Sequence, residues 1–507
     1  MNIKEAKKEI ANTLRAYHLK DQQGEYRIPP ARQRPILLMG PPGIGKTAIM
    51  EQVARECGVG LVAYTITHHT RQSAVGLPMI QKRIYQGQER TVTEYTLSEI
   101  IASVYECMER TGLQEGILFI DEINCVSETL APTMLQFLQN KTFGSHQVPG
   151  GWVIVAAGNP PQYNKSVREF DIVTLDRVRR IDVEADCGVW MEYAWEQGVH
   201  GAVLSYLNIR RDHFYQVEQT GEGKSFVTAR GWEDLSQLIA SYEELEIPVT
   251  RQVIAQYLQK EDVGREFAAY YQLYGKYGRD YGITRILEGN LEDEEYRQRI
   301  QMAAAASFEE RFTVVGLLLD TLNLREREWE EKSRQVKALH QFLTHLKSYL
   351  ETQEDMQCLR QFLEAQRKSL GEKKRLGLLT LREEKIQRGA LACLEEYDLT
   401  LRREHLKDRE QGWERIRELF SRETEKRSRD ARKFQKELDR AFAFISTAFG
   451  EEQEMILFVS NLTRNQGISS FLGEFGCEPY FRYSKKLLEL ENQEELQQMC
   501  REVSEEE

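Results

Sequence analysis

The stretch "RPILLMGPPGIGKTAIM", from Arg34 to Met50, decides the fold class. A short apolar run ends in glycine, the next residues have the spacing G-x-x-x-x-G-K-T, and a helical pattern follows at once. Glycines let the N–H groups of such a loop turn inward around phosphate oxygens, because no Cβ stands in the way. We therefore predict a strand, a phosphate-binding loop and a helix, as in an α/β nucleotide-binding domain.

The polar residues of this loop have defined tasks at a bound nucleotide. We expect Lys46 to reach the β and γ phosphates and Thr47 to place its hydroxyl on Mg²⁺. The positive end of the following helix adds to the attraction for anions. The predicted nucleotide-binding residues are Gly40, Pro41, Pro42, Gly43, Ile44, Gly45, Lys46, Thr47 and Ala48.

A second motif, "GILFIDEIN", runs from Gly116 to Asn124. Four continuous apolar residues predict a central parallel strand that is buried on both faces. A carboxylate pair at the end of such a strand is costly to bury unless it has a function. We expect Asp121 to hold Mg²⁺ and Glu122 to orient and polarise the attacking water, which indicates hydrolysis.

Further candidates follow in the same half of the chain. The strand-like run "GGWVIVAAGNP" ends in Asn159, whose amide can bond a γ-phosphate or a water, although an asparagine before proline is also typical of a turn. "LDRVRRIDVE" supplies Arg177, Arg179 and Arg180, which solvent or carboxylates could equally satisfy. "SFVTARGWEDL" places Arg230 in the first turn of a predicted helix.

In this order the motifs resemble those of the AAA+ ATPases, and within them the MoxR-like ATPases related to the chelatase and dynein/midasin group. The resemblance covers roughly residues 30 to 260 and rests on "GPPGIGKT", "ILFIDEIN", "AAGNP", "LDRV" and "TARGWEDL". The resemblance implies that Arg177 is an arginine finger and that Arg230 is a second sensor of the phosphates. Val178 replaces the usual phenylalanine after the finger, and the last motif has TAR where many relatives have proline before the arginine.

The resemblance implies an α/β P-loop NTPase core with a parallel sheet flanked by helices, and a helical lid. It implies that ATP and Mg²⁺ bind between neighbouring subunits of a ring, with a hexamer favoured. Two hairpin-like insertions, "RIYQGQERTVTEY" with Gly87 at its turn and "NKTFGSHQVPGGW", favour this branch. "NKSV" (Asn164 to Val167) lacks the Asp of a guanine-reading motif, which favours adenine.

The composition indicates which class of partner and which cellular compartment to expect. The 507 residues include 68 basic and 80 acidic side chains, a net charge of −12, which does not favour nonspecific nucleic-acid binding. Eight cysteines without a CxxC pair, a charged N-terminus and no long apolar run predict a cytoplasmic protein without a membrane span. A von Willebrand factor A domain protein is the partner that the family resemblance implies.

The second half of the chain has fewer strand signals and more charged residues. Its mixed-charge stretches with heptad-like apolar spacing predict a bundle of long amphipathic helices. We therefore divide the chain into an N-terminal helix and linker (1–30), an AAA+ core (31–185), a helical lid (186–265) and a mostly α-helical, bundle-like region (266–507).

Three functions fit these residues. The first is a chaperone-like ring ATPase that remodels a protein partner. The second is a nucleic-acid-directed motor or a defence-system ATPase, which the acidic net charge does not favour. The third is a nucleotide-gated scaffold, which the complete set of catalytic residue types does not favour.

Overall fold

The computed structural model contains one parallel sheet of five strands. It describes residues 1–68, 74, 76–86, 88–143, 146–163, 170–220, 223–351, 356, 358–375 and 379–486, so Gly87 and Asn164–Val167 lie outside the described residues. The five strands are β1 (Ile36–Met39), β2 (Gly60–Thr65), β5 (Gly116–Asp121), β8 (Trp152–Gly158) and β9 (Arg179–Asp182). Their order across the sheet is β2-β5-β8-β1-β9, with every neighbouring pair parallel.

Helices cover both faces of this sheet, because alternate residues of the apolar strands point to opposite sides. One face packs against α1 (Ile3–Tyr17) and α2 (Lys46–Cys57), and the other against α3 (Glu99–Thr111) and α4 (Ala131–Asn140). The predicted α/β fold with a flanked parallel sheet is therefore confirmed. The crossover order places the C-terminal ends of β1, β5 and β8 side by side, where polar residues follow each strand.

Both predicted insertions form antiparallel hairpins. The longer one pairs β3 (Pro78–Tyr85) with β4 (Gln88–Tyr95), and the shorter one pairs β6 (Thr142–Phe143) with β7 (His146–Gln147). All eight residues of β3 are exposed to solvent. The longer hairpin therefore contributes little to the core of its unit.

The chain between the sheet and the long helices contains several short elements. A short helix, α5 (Ile172–Arg177), precedes β9. The predicted helical lid (186–265) is not purely helical, because it also contains a β-hairpin. The elements of this region are α6 (Cys187–Gln197), α7 (Gly201–Ile209), β10 (Gln216–Thr220), β11 (Gly223–Val227), α8 (Ala229–Glu244) and α9 (Arg251–Tyr257).

Two compact units result, and each has its own core. The first comprises Met1–Trp190, Asp212–Leu235 and Ala255–Glu261, and the second comprises Met191–Arg211, Ser236–Ile254 and Asp262–Glu507. The remaining helices are α10 (Glu261–Tyr281), α11 (Ile283–Glu288), α12 (Asp293–Ala304), α13 (Phe308–Leu350), α14 (Cys358–Arg375), α15 (Leu381–Arg403), α16 (Arg409–Phe449), α17 (Gln453–Arg464) and α18 (Gln466–Phe475).

Two long helices, α13 with 43 residues and α16 with 41, organise the second unit. Both begin at side-chain caps, Ser307 and Asp408, which accept hydrogen bonds from first-turn amides. Apolar residues at helical spacing along α13 are mostly buried: Leu318, Leu322, Trp329, Leu339 and Leu343, with Val336 half-buried. The mostly helical second half is therefore confirmed. Among the described residues, no helix is both long enough and apolar enough to cross a membrane.

Candidate active site

The phosphate-binding loop connects the end of β1 to the first residue of α2. Gly43 and Gly45 have φ angles of 76° and 92°, in the left-handed region that favours glycine. Gly40 is required for another reason, since a Cβ there would lie 2.7 Å from the carbonyl oxygen of Val183. Because the N-cap of α2 is Gly45, no side chain caps this helix, and its first amides remain donors for an anion.

Lys46 is held inside this loop by three hydrogen bonds. Its Nζ donates to the carbonyl oxygens of Gly40 and Pro41 at 2.7 and 2.8 Å, and to Oδ1 of Asn159 at 2.8 Å. The side chain is only 8% exposed. All three acceptors are neutral, so phosphate oxygens can replace them as stronger, charge-assisted partners.

Burial is the main reason why the pKa of Lys46 falls from 10.5 to about 8. The carboxylate of Asp121 opposes this shift, and the positive charge of Arg230 adds to it. The ammonium group is thus destabilised in the absence of an anion. A negatively charged ligand that contacts it is expected to raise its pKa again.

Thr47 and Asp121 form the predicted magnesium site. The Thr47 hydroxyl donates to Oδ2 of Asp121 at 2.8 Å, although the two residues come from different elements. A hydroxyl and a carboxylate are hard oxygen ligands, and Mg²⁺ in phosphate sites takes its other ligands from water and substrate phosphates. This pair therefore fits the ion. The described residues contain no group of three or more His, Cys, Asp or Glu side chains that could hold a metal by itself.

Glu122 follows the end of β5 in an unusual backbone conformation. Its φ angle is 57°, in the left-handed region, and its N–H donates to Oδ1 of Asp121 at 2.9 Å. A non-glycine residue in this region costs on the order of 1 kcal/mol. Such strain often accompanies a functional position, and here it turns the chain sharply after the strand.

Asn159 follows β8 and is hydrogen-bonded to residues of the phosphate-binding loop and of the acidic motif. Its side-chain oxygen accepts the bond from Lys46, which leaves the NH₂ group as its donor toward a phosphate or a water. Its backbone is bonded to Asn124, a residue that the sequence reasoning did not select. The available signal was the asparagine that ends the acidic motif "GILFIDEIN", two residues after the carboxylate pair.

Arg230 lies beside the loop of its own chain. It occupies the first turn of α8, as predicted, and a Cβ on Gly43 would lie 3.6 Å from the Cβ of Arg230 and 3.1 Å from that of Thr228. The charge of Arg230 also acts on Lys46. The guanidinium group is therefore a second cation near the phosphate-binding loop.

Residues 36–177 match the family model described as "ATPase family associated with various cellular activities (AAA)". These residues form an AAA+ ATPase domain. The match includes the loop, the acidic strand end, the strand before Asn159 and the helix that ends at Arg177. ATP binding and hydrolysis follow as the activity of this domain. Among curated proteins, no significant match to the chain is found.

Two of the three arginines in "LDRVRRIDVE" are paired with carboxylates of their own chain. Arg179 donates to the hydroxyl of Thr13 at 2.6 Å and forms an ion pair with Glu9. Arg180 holds the carboxylate of Asp182 through bonds of 2.8 to 3.1 Å. Both guanidinium groups already have carboxylate partners, which does not favour them as phosphate ligands of another subunit.

Arg177 has a different environment from these two arginines. It is exposed at the last residue of α5, donates to the neutral side-chain oxygen of Gln139, and acts through its charge on the carboxylate of Asp171, the N-cap of the same helix. Gln139 lies in the last turn of α4, about 12 Å along that helix from its first residue. A neutral partner holds a guanidinium group more weakly than a carboxylate does, so Arg177 can exchange it for an anion.

The first unit thus brings together most of the predicted site and places one residue apart. The residues around the loop are Lys46, Thr47, Asp121, Glu122, Asn159 and Arg230. Arg177 lies against the end of α4 instead. The grouped residues can bind a nucleoside triphosphate, neutralise its charge and polarise a water.

Proposed function

We propose that the chain is a MoxR-like AAA+ ATPase that assembles into a ring, with a hexamer favoured, and uses ATP hydrolysis to remodel a protein partner. The observation that carries this proposal is the exposed position of Arg177. Its guanidinium group has a neutral partner, whereas its two neighbouring arginines are paired with carboxylates. An arginine of this kind supports completion of the site by a neighbouring copy.

The residues of one chain account for most of the hydrolysis step. Lys46 exchanges its loop carbonyls for phosphate oxygens. Thr47 and Asp121 would hold Mg²⁺, which would supply charge neutralisation and orientation of the phosphates. Glu122 polarises the attacking water, and the Asn159 amide orients it or the γ-phosphate. Arg177 of the next copy then stabilises the negative charge that develops in the transition state.

Exposed apolar residues on α5 support an interface between copies. Ile172 and Val173 are 85% and 56% exposed, and they lie on the same short helix as Arg177. Exposed aliphatic side chains beside a functional arginine are typical of a protein-binding surface. A neighbouring copy that covers them would also bring its phosphate-binding loop to Arg177.

The exposed hairpin of β3 and β4 supports a protein client. Ile80 and Ile84 are 78% and 76% exposed and lie on the same face of β3, since they are four residues apart. Two cations of the hairpin are paired with carboxylates, since Lys82 contacts Glu89 at 3.0 Å and Arg83 contacts a glutamate of β4. Aliphatic side chains and neutralised cations suit a polypeptide better than a phosphate backbone.

The partner class and the compartment belong to the same proposal. A von Willebrand factor A domain protein is the client or adaptor that the resemblance to MoxR-like ATPases favours. Among the described residues no cysteine forms a disulfide, which supports a reducing, cytoplasmic environment.

ATP turnover of four proteins tests the proposed activity. We expect the wild type to hydrolyse ATP, and Glu122→Gln and Arg177→Ala each to reduce turnover by at least about 100-fold. Arg180→Ala is the matched control, because this arginine is exposed and paired with Asp182 in its own chain, and its turnover should stay within about twofold of wild type. Unchanged turnover in Arg177→Ala would overturn the intersubunit site.

Assembly and client class need separate measurements. Mass photometry of Glu122→Gln with ATP should show one closed oligomer, with six copies expected, and only monomers at micromolar concentration would contradict the ring. Loss of turnover in this variant also excludes a purely nucleotide-gated scaffold. Stimulation of turnover by DNA with a steep salt dependence would overturn the protein client in favour of a nucleic-acid motor.

A further inference from the structure

Asn124 joins the acidic strand end to the residue that follows β8. Its Nδ2 donates to the carbonyl oxygen of Asn159 at 2.8 Å, and its Oδ1 accepts the N–H of the same residue at 3.3 Å. The side chain is only 3% exposed. One primary amide therefore satisfies both polar backbone groups of Asn159 away from solvent.

These bonds continue the sheet beyond the ends of its two central strands. The parallel pairing of β5 with β8 reaches Ala156. The N–H of Ile123 then donates to the carbonyl of Ala157 at 2.9 Å, and the side chain of Asn124 adds the next link. The chain makes its left-handed turn at Glu122, between the strand and these two bonds.

Gly158 gives Asn124 the space for this contact. A Cβ on Gly158 would lie 2.7 Å from Oδ1 of Asn124, closer than real Cβ contacts allow. The glycine before Asn159 and the asparagine after the carboxylate pair thus depend on each other. Gly158 is also joined to the phosphate-binding loop, because its carbonyl oxygen accepts a hydrogen bond from the N–H of Gly40 at 3.3 Å.

We infer that Asn124 is a positioning residue for ATP hydrolysis, which holds the amide of Asn159 and the turn at Glu122 in one fixed arrangement. The inference rests on the hydrolysis step of the proposed function. Asn159 bonds Lys46 through its side chain, so a shift of its backbone displaces the amide relative to the phosphates. Binding of the nucleotide depends mainly on the loop and the first turn of α2, which Asn124 does not contact.

A kinetic split tests this role with two variants of similar side-chain volume. Asn124→Leu removes both bonds, and Asn124→Asp keeps the acceptor but places a carboxylate against the carbonyl of Asn159. We expect kcat to fall about 10- to 100-fold, as for a small misplacement of reacting groups. The Kd for ADP, measured with a fluorescent analogue, should change less than about threefold because the loop is intact.

Asn461 offers a matched control in the helical unit. It is also 3% exposed and donates to the carbonyl of Leu457 at 2.8 Å. Asn461→Leu should lower Tm about as much as Asn124→Leu does while kcat stays within about twofold of wild type. A kcat loss in Asn124→Leu that is no larger than in this control would overturn the inference.

A double-mutant cycle gives a second readout that does not depend on overall stability. Gly158→Ala should lower kcat in the wild type and have a clearly smaller effect in an Asn124→Ala background, because the atom at 2.7 Å is then gone and the next contact, at 3.1 Å, is the flexible Sδ of Met39. Equal effects in both backgrounds would overturn the inference. A wild type without turnover refutes the proposed function, whereas normal turnover in the Asn124 variants refutes only the positioning role.

Discussion

ATP binding should be accompanied by proton uptake at Lys46. In the unbound protein its pKa of about 8 leaves the amine partly neutral at alkaline pH. Contact with phosphate favours the charged form and raises the pKa, so the bound state is fully protonated across this range. The expected uptake is the neutral fraction of the unbound state, roughly 0.1 proton at pH 7, 0.5 at pH 8 and 0.9 at pH 9.

Titration calorimetry with a non-hydrolysable ATP analogue, in buffers of different ionisation enthalpy, measures this number directly. The observed binding enthalpy changes linearly with the buffer enthalpy, and the slope is the number of protons taken up. Lys46→Arg is the control, because a guanidinium group stays protonated in this range and should show a slope near zero. A wild-type slope near zero at pH 8 to 9, or an equal slope in Lys46→Arg, would refute the assigned burial of this amine.

Three further predictions follow from individual residues. Gly43→Ala should weaken ADP binding at least about tenfold in a fluorescence titration, because φ is 76° and the new Cβ would lie 3.1 Å from Thr228, and unchanged affinity would contradict this. Arg230→Ala should move the midpoint of proton uptake to higher pH in the same calorimetric assay, since Arg230 lowers the pKa of Lys46, and an unmoved midpoint would contradict it. Burial raises the pKa of Glu326 from 4.5 to about 7, so the stability that it contributes is fully present below pH 4.5 and is lost as pH rises through 7. Glu326→Gln should therefore increase the unfolding free energy at pH 7.5 by about 1–3 kcal/mol in denaturant titrations, with a smaller gain at pH 5, and equal gains at both pH values would contradict the assignment.

The nucleotide-binding half was predictable because its signals are local. Continuous apolar runs predicted the buried strands that end at Met39, Asp121 and Gly158, and the glycine spacing predicted the loop between them. The parallel order of the strands then follows from crossover helices. The proximity of Lys46 to Asn159 could be expected because they follow β1 and β8, two neighbouring parallel strands that end at the same edge of the sheet.

Other features depend on contacts between distant residues, which one sequence does not reveal. Three arginines within four positions have the same local signal, and only their partners Glu9, Asp182 and Gln139 separate them. The role of Asn124 depends on its match with Gly158 on another strand. The helices of the second half were expected from their periodicity, but their packing order was not.

Subunit mixing is the most direct test of whether the ATP site is shared between copies of the chain. Glu122→Gln lacks the polarising carboxylate but keeps Arg177, and Arg177→Ala has the opposite defect, so each protein alone should be almost inactive. In rings assembled from an equal mixture, about one interface in four combines an intact Glu122 with an intact Arg177 from its neighbour. We expect recovery of about a quarter of wild-type turnover per subunit, and a mixture as inactive as its two components would contradict a shared site.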